Sequence, residues 1–337
     1  MPSHRKVCVV GAGAIGGLMA AALARLDCDV SVIARGPHLA AIQARGLTLR
    51  IDGKEATVQV TATADAAVLG EQDVVIVAVK ACGLTDALPA ITPLVGANTI
   101  VVPAMNGVPW WFFSGFGGGK LEGIQLEGVD PGARIAAAIA LDRVLGCVIY
   151  PSAYVAEPGV IQHTGRWDVV LGEPDGSPSA RVHQLRDLFN AAGFQCAVVP
   201  DIRREIWAKL MGNASFNPLA ALTGATLDYM LADSLIVELL KTLMTEVLHV
   251  GAALGLHIDE TPAQRIARAL PMGAIRFSML QDMERGRPME HESLTGAVLA
   301  IAERLKLDTP ATRAVHGLIR LRAQGIAGPP MGKSVSN

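Results

Sequence analysis

Val7-Cys-Val-Val-Gly-Ala-Gly-Ala-Ile-Gly-Gly17 is the stretch whose reading decides the fold. Four β-prone residues, Val7 to Val10, read as a buried strand, and Gly11, Gly13 and Gly16 fall where that strand must turn sharply into a helix. Each glycine has its own task. Gly11 permits the tight turn, Gly13 removes the Cβ that would hold a pyrophosphate off the backbone, and Gly16 lets the helix pack closely on the strand. Ala12, Ala14 and Ile15 complete the same phosphate-facing turn. The anion then lies at a helix N-terminus, whose free N–H groups and dipole favour negative charge.

Glycine-rich turns recur by chance, so the flanking sequence decides. Leu18 to Leu26 is rich in Ala, Leu and Met with no Pro, and Asp29-Val-Ser-Val-Ile-Ala34 reads as a second strand. Together they complete a βαβ unit of roughly the 30 residues expected. A buried Gly/Ala helix and a secretory leader are the competing readings of so apolar an end. Against a leader stand the broken apolar core, the fixed glycine spacing, and Asp27 and Asp29 where a cleavage region would lie.

The dinucleotide is chosen at the end of the second strand, where an Asp or Glu would accept bonds from the ribose 2′-hydroxyl of NAD. Position 35 is Arg. A carboxylate would repel a 2′-phosphate, whereas a guanidinium grips it bidentately, so Arg35 favours NADP. A solvated surface Arg is the alternative.

Length and composition bound the rest. At 337 residues the chain predicts two domains, each with its own core. Its 29 Lys+Arg against 31 Asp+Glu give no basic face for nucleic acid or a membrane surface. The 51% hydrophobic content is broken by Gly, and no run reaches the roughly 20 residues of a spanning helix. Cys8, Cys28, Cys82, Cys147 and Cys196 are scattered, without a CxxC pair, which predicts mostly small buried thiols in a reducing cytoplasm and no disulfide framework.

Further strands are expected at Gly70-Glu-Gln-Asp-Val-Val-Ile-Val-Ala-Val79 and Thr99-Ile-Val-Val102, both buried on two faces in a parallel sheet. Lys80 follows the first and Asn106-Gly107 the second. Ligands of open α/β sheets bind outside the carboxyl ends of strands, so these residues should face the crevice of the glycine turn; Asn-Gly is also a common turn dipeptide. From Gly146 to about Pro200, short strands, turns at Glu157-Pro-Gly and Glu173-Pro-Asp-Gly, a helix near Ser179 to Ala192 and a strand near Gln195 to Val199 read as the far edge of the same domain. Helices follow over 201–217, 234–254, 262–285 and 291–324, with Pro218 imposing a break or kink. The predicted architecture is α/β: a Rossmann-type doubly wound sheet (1–200, binding NADP), an all-helical substrate and dimerisation domain (201–327), and a flexible tail (328–337).

In Arg203-Arg-Glu-Ile-Trp-Ala-Lys-Leu-Met-Gly-Asn-Ala-Ser-Phe-Asn-Pro218, the polar residues Lys209, Asn213 and Asn217 are four apart and share one side of a helix. Ile206, Leu210, Met211 and Phe216 flank them, so the stripe lies in apolar surface. A snorkelling Lys with two bridging amides is one reading. A desolvated Lys whose lowered pKa lets it deliver a proton near neutral pH, with amides that orient a carbonyl or hydroxyl substrate, is the other. Ser278 and Glu290 form a second group across the Gly286-Arg-Pro288 break, where Glu290 could equally cap the later helix. His291 reads as a surface or packed residue, because no other His or Cys is spaced for metal binding, and no metal is expected.

Taken in order, Gly11-Ala-Gly-Ala-Ile-Gly16, Val79-Lys80, Asn106-Gly107, Glu157-Pro-Gly159, Trp207-Ala-Lys-Leu210 with Asn213 and Asn217-Pro218, and Ser278-Met-Leu-Gln-Asp282 leading to Glu290 resemble the ketopantoate reductase family over nearly the whole chain. The resemblance implies NADPH-dependent reduction of a 2-keto acid to its 2-hydroxy acid in pantothenate synthesis, with Lys209 as general acid. It implies that Lys80, Asn106 and Glu290 serve the cofactor, and that Asn106, Lys209, Asn213, Asn217 and Ser278 hold the substrate. Three departures bear on which acid is reduced. An Asn that the family often places after Asn217-Pro is absent or replaced by Thr in Leu219-Ala-Ala-Leu-Thr-Gly-Ala-Thr-Leu227, and Thr295-Gly296 stands for the family's Asn-Gly. Val-Pro-Trp-Trp-Phe-Phe113 and a Gly-rich insert, Ser114 to Gly128, are also unusual; those aromatics either wall a pocket, support a lid, or pack. Reduction of another branched 2-keto acid or carbonyl compound and a silent NADPH-binding sensor are the alternatives, and apolar Leu235 to Leu254 reads equally as a homodimer interface or as core.

Overall fold

The structure is a computed structural model and describes residues 5–116, 119 and 121–327. The tail expected over 328–337 lies outside the described residues. The chain divides after Glu205 into two compact units.

The first unit begins with β1 (Arg5–Val10), α1 (Ala14–Leu23), β2 (Cys28–Ile33), α2 (Gly36–Arg45), β3 (Leu47–Ile51), β4 (Lys54–Val58), β5 (Thr61–Thr63), β6 (Val74–Val77), α3 (Leu84–Ile91) and β7 (Ile100–Pro103). It continues through α4 (Arg134–Ala138), β8 (Gly146–Ile149), β9 (Ser152–Glu157), β10 (Val160–Gly165), β11 (Asp168–Gly172), α5 (Ala180–Ala191) and β12 (Gln195–Val198). Five strands pair in parallel in the order β5-β2-β1-β6-β7. Val7 to Val10 and Val74 to Val77 are buried on both faces, which explains why they read as unbroken apolar runs. Strand order reverses between β1 and β6, so the carboxyl ends of these two strands border the crevice of a doubly wound sheet.

The expected far edge is only partly there. β8, β11 and β12 form a three-stranded sheet that continues from β7 through a parallel bridge between Val101 and Val144 and a bond from the Leu145 N–H to the Val101 carbonyl (2.9 Å). β9 and β10, however, belong to a separate sheet of order β4-β3-β10-β9. The turn between β3 and β4 is Asp52-Gly53, both with positive φ (47° and 76°), a backbone twist that matches hairpin strands. α1 packs between the two sheets: a Cβ on Gly17 would come within 2.7 Å of Ile161 on β10.

The aromatic run that followed Asn106-Gly107 packs inward. Trp110, Trp111, Phe112 and Phe113 are all buried, in line with the packing reading of the run. Arg203 holds this segment in place. Its Nε donates to the Phe112 carbonyl (2.7 Å) and its Nη2 to the Ser114 carbonyl (2.6 Å), while Nη1 donates to the Pro174 carbonyl. The guanidinium also lies over the rings of Trp111 (5.5 Å) and Phe116 (5.2 Å). Burial pushes its pKa down from the ordinary arginine value, and the three carbonyls and two ring faces are what a buried cation needs. Three cysteines, Cys8, Cys147 and Cys196, are buried as expected, but Cys82 is exposed. Burial raises the thiol of Cys8 to about 11 and that of Cys196 to about 12, so neither ionises at neutral pH.

The second unit is helical: α6 (Ile202–Thr223), which begins before the boundary, then α7 (Leu227–Ala232), α8 (Ser234–Ala253), α9 (Pro262–Ala269), α10 (Ser278–Glu284), a π-helical turn (Glu292–Gly296), α11 (Ala297–Leu305) and α12 (Pro310–Ala327). Three expectations change. α6 runs through Pro218 to Thr223 instead of breaking there, because Phe216, Leu219, Ala220 and Ala221 are buried and their packing outweighs the lost backbone bond. The segment 262–285 is two helices, stopped after Ala269 by Pro271 and by Gly273 at φ 68°. The segment 291–324 is likewise divided, with Lys306 in the left-handed region ending α11 and Pro310 starting α12. Glu246 on α8 caps α12, accepting from the N–H groups of Ala311 (2.9 Å) and Thr312 (2.7 Å) and from the Thr312 hydroxyl (2.6 Å).

The apolar side of α8, which the sequence offered as an interface, is the core of this unit: Leu240, Leu243, Met244, Val247 and Val250 are buried. Among the described residues no helix is long and apolar enough to cross a membrane.

Replacing Arg203 with Met keeps the aliphatic stem but orphans three carbonyls, and should lower unfolding free energy by about 3 kcal/mol. Urea denaturation measures this; a change below about 0.5 kcal/mol, the range of ordinary surface substitutions, would remove Arg203 from the structural account.

Candidate active site

In the first unit, four predicted residue groups gather at the carboxyl edge of the parallel sheet. The N–H groups of Gly11 and Ala12 donate to the Ile33 carbonyl (3.0 and 3.3 Å), which fixes the glycine turn against the end of β2. Gly11 has φ 94°, and any Cβ there would meet Val79 at 2.8 Å. A Cβ on Gly16 would overlap the Gly11 carbonyl oxygen and come within 2.9 Å of Ala78. Gly13 differs: it is exposed, and nothing lies within 4 Å of where its Cβ would be. It caps α1 without any side-chain hydrogen bond. The N-terminus of α1 thus opens at a glycine whose side-chain position is empty.

Arg35 is exposed and caps the N-terminus of α2, directly beyond β2. Lys80 follows β6 and Asn106 follows β7; both are half-buried, and Gly107 makes its turn with φ 87°. Two backbone bonds tie these exits to the same edge, from Ala78 N–H to the Val10 carbonyl and from Ala104 N–H to the Val77 carbonyl (both 2.9 Å).

In the second unit, α6 carries the polar stripe. Lys209 and Asn213 are half-buried and Asn217 is buried, in line with a ridge sunk in apolar surface. The helix is fixed from two sides. Trp207 donates its indole N–H to the Val247 carbonyl (3.0 Å), and a Cβ on Gly251 would overlap that indole, so α6 and α8 meet at a glycine. Arg265, ion-paired to Glu260 (2.7 Å), donates to the Ala208 carbonyl (2.6 Å), next to Lys209. Phe216, between Asn213 and Asn217, stacks on Phe277 with centroids 5.4 Å apart and planes 6° from parallel. That stack brings exposed Ser278, the first residue of α10, to the α6 ridge. Glu290 is half-buried, two residues before the π turn.

The departures resolve in part. The Thr226 hydroxyl is engaged with Asp228 at the start of α7, and Thr295 is buried with its hydroxyl on His316 (2.9 Å). Each is therefore committed to a local partner. Two groups escaped the sequence reading. His38 accepts from the Gly159 N–H at Nδ1 (3.0 Å), and its Nε2 faces the Ala12 backbone of the glycine turn without closing a hydrogen bond. Burial holds its pKa below the ordinary value, so it is a neutral neighbour of the turn. The second group is His291, Glu292 and His316, which the sequence separates by 24 residues and the fold brings together. Neither has a spacing motif that would have revealed it.

A glycine turn at the switch point of a parallel sheet, joined in one chain to a helical unit with a half-buried lysine, defines the class of two-unit dinucleotide-dependent oxidoreductases. The family model described as ketopantoate reductase PanE/ApbA matches residues 7–109, and the one for the ketopantoate reductase PanE/ApbA C terminal matches 201–323. The chain belongs to the ketopantoate reductase family, which is one of NAD(P)-dependent reductases. It is 48% identical over 316 residues to the 2-dehydropantoate 2-reductase of Mesorhizobium japonicum, covering 94% of this chain and 97% of that one. A crystal structure from Ralstonia solanacearum MolK2, provisionally named a ketopantoate reductase, superposes with a TM-score of 0.91 at 43% identity, covering 96% of this chain and 99% of that one. A D-mandelate dehydrogenase solved with NADH and anilino(oxo)acetate has a TM-score of 0.81 at 20% identity, covering 96% of this chain and 99% of that one, a likeness of fold alone.

Proposed function

We propose that this protein is a 2-dehydropantoate 2-reductase that uses NADPH, with Lys209 as general acid. The observation that carries the reading is the Lys209, Asn213, Asn217 ridge on α6, with Phe277, next to Ser278 in the chain, stacked on Phe216 of the same helix. One cation and several neutral hydrogen-bonding groups in apolar surface suit a small anionic keto acid whose carbonyl must receive a proton.

The residues present fit the cofactor. Open space at Gly13 and the α1 N-terminus accept a pyrophosphate, and exposed Arg35 past β2 binds a 2′-phosphate. When bound, NADPH supplies the hydride for C2 of the keto acid. Lys209 meets the charge that develops on the carbonyl oxygen and gives it a proton from Nζ. Asn106, Asn213, Asn217 and Ser278 hold the carboxylate and hydroxyl of the substrate. Lys80, Asn106 and Glu290 serve the cofactor, Glu290 by orienting the nicotinamide ribose or the Lys209 ammonium. On this reading residues 1–200 bind the cofactor and 201–327 the substrate, in the cytoplasm.

The surface of the helical unit supports a homodimer. Tyr229, Leu270 and Met272 are 75%, 63% and 50% exposed on α7 and the turn packed against it, an apolar patch that a second copy would cover. Light scattering after gel filtration should give twice the chain mass, and Tyr229→Glu should give the monomer; a monomeric parent protein would end the dimer reading.

Lys209→Ala should lower turnover of 2-dehydropantoate by about 100-fold or more while NADPH still binds. Unchanged turnover with intact NADPH binding would refute the mechanism. Arg35→Asp should weaken NADPH by roughly 10- to 100-fold and leave NADH affinity within about twofold. Fluorescence titration of both cofactors measures the difference, and an unchanged preference would exclude Arg35 from 2′-phosphate binding.

A further inference from the structure

The π turn opens with His291 and Glu292, and α12 brings His316 against them. His291 Nδ1 lies 3.4 Å from Glu292 Oε1, and His316 Nε2 lies 3.8 Å from the same oxygen. All three ligand atoms fall within 4.8 Å of one another. We propose that these residues form a binding site for a divalent transition-metal ion of the zinc class, with His291 Nδ1, Glu292 Oε1 and His316 Nε2 as ligands and water in the fourth position.

Hydrogen bonding around the cluster suits metal binding. The Thr295 hydroxyl lies within hydrogen-bond reach of both the His291 carbonyl (3.2 Å) and His316 Nδ1 (2.9 Å). In the Nδ1–H tautomer His316 donates to that hydroxyl and its Nε2 lone pair faces the Glu292 carboxylate, the form that a metal ion binds. His291 Nδ1 is buried and points at the same carboxylate oxygen. Three ligand-type atoms thus converge, and a cation among them offsets the cost of bringing them together.

The geometry suits that cation. Ligand bonds of 2.0–2.1 Å in a tetrahedron put ligand atoms about 3.3 Å apart, so two of the three separations need shifts of only some tenths of an ångström. Two imidazoles and one carboxylate favour zinc over magnesium or calcium, and three protein ligands leave an open position. Gly296 makes the room: a Cβ there would come 2.5 Å from Glu292 Oε2 and 3.1 Å from His316 Cε1. Thr295, holding His316, is the outer partner that such sites use to orient an imidazole. A π-helical turn at this point is a further mark of a functional position. Arg320 is the cation that faces the cluster, and its charge lowers affinity without taking a ligand position.

A bound ion would tie the π turn to α12 and restrain Glu290, two residues upstream of Glu292. The binding claim itself stands apart from the reductase reading, because it is measured without cofactor or substrate.

The test uses the full chain, stripped with chelator and dialysed. Titration with Zn²⁺ by calorimetry should give one ion per chain, and Co²⁺ should produce visible absorption of low-symmetry coordination that Zn²⁺ displaces. His316→Gln should weaken Zn²⁺ at least tenfold, and Thr295→Val by roughly 10- to 100-fold through loss of the outer partner, with folding checked by circular dichroism. Should either variant fail to fold, histidine ring resonances of the parent protein decide, since His291 and His316 should shift together at substoichiometric Zn²⁺. The proposal is overturned if no stoichiometric binding occurs, if folded His316→Gln binds as tightly as the parent (an adventitious ion only), or if other histidines respond in place of these two.

Discussion

The close approach of α1 to β1 is the constraint on which the first unit depends. At Gly16 even a methyl group would overlap the Gly11 carbonyl and press on Val9 and Ala78, so the helix lies against both β1 and the exit of β6. That approach aims the N-terminus of α1 at the carboxyl edge of the sheet, where order reverses. It also places the opposite side of the helix against Ile161 of the second sheet. One backbone contact thereby sets the layering of the unit and the direction of its anion-binding end.

The helical unit has an equivalent contact. Trp207 seats its indole where Gly251 has no side chain, and this fixes the rotation of α6 about its axis. Rotation matters because Lys209, Asn213 and Asn217 lie on one line of that helix; a turn of one residue would bury them or spread them into solvent. The Phe216 and Phe277 stack then sets α10 beside the line. The polar groups assigned to chemistry sit one residue away from packed apolar neighbours, which hold the helix face that carries them.

Much of this was legible in the sequence, for physical reasons that differ by element. The βαβ start was readable because three glycines at fixed spacing stand between a strand-like and a helix-like run, and α6 because its polar residues recur at the helical period. What the sequence concealed depended on tertiary context. Pro218 signals a break, yet buried neighbours carry the helix through it. The β3–β4 hairpin was passed over although Asp52-Gly53 is a strong turn signal, because Lys54–Val58 has no buried side chain to show as apolar alternation. For Trp110 to Phe113 the sequence left pocket wall, lid support and packing open, and their burial with Arg203 bonded to the Phe112 carbonyl shows how the run packs. His291 and His316 lie on different elements, where no spacing rule applies.

A fold does not by itself choose a substrate, so the choice of acid is carried by the site residues. Thr226 and Thr295, standing where relatives were expected to differ, are both bound to local partners and so contribute shape more than hydrogen bonds. The central claim is that the α6 ridge serves 2-dehydropantoate with hydride from NADPH. Steady-state NADPH oxidation across a panel of 2-keto acids tests it most directly. The account predicts turnover with 2-dehydropantoate at the highest kcat/KM in the panel; NADPH binding without oxidation by any member, or a clear preference for a different acid, would contradict it.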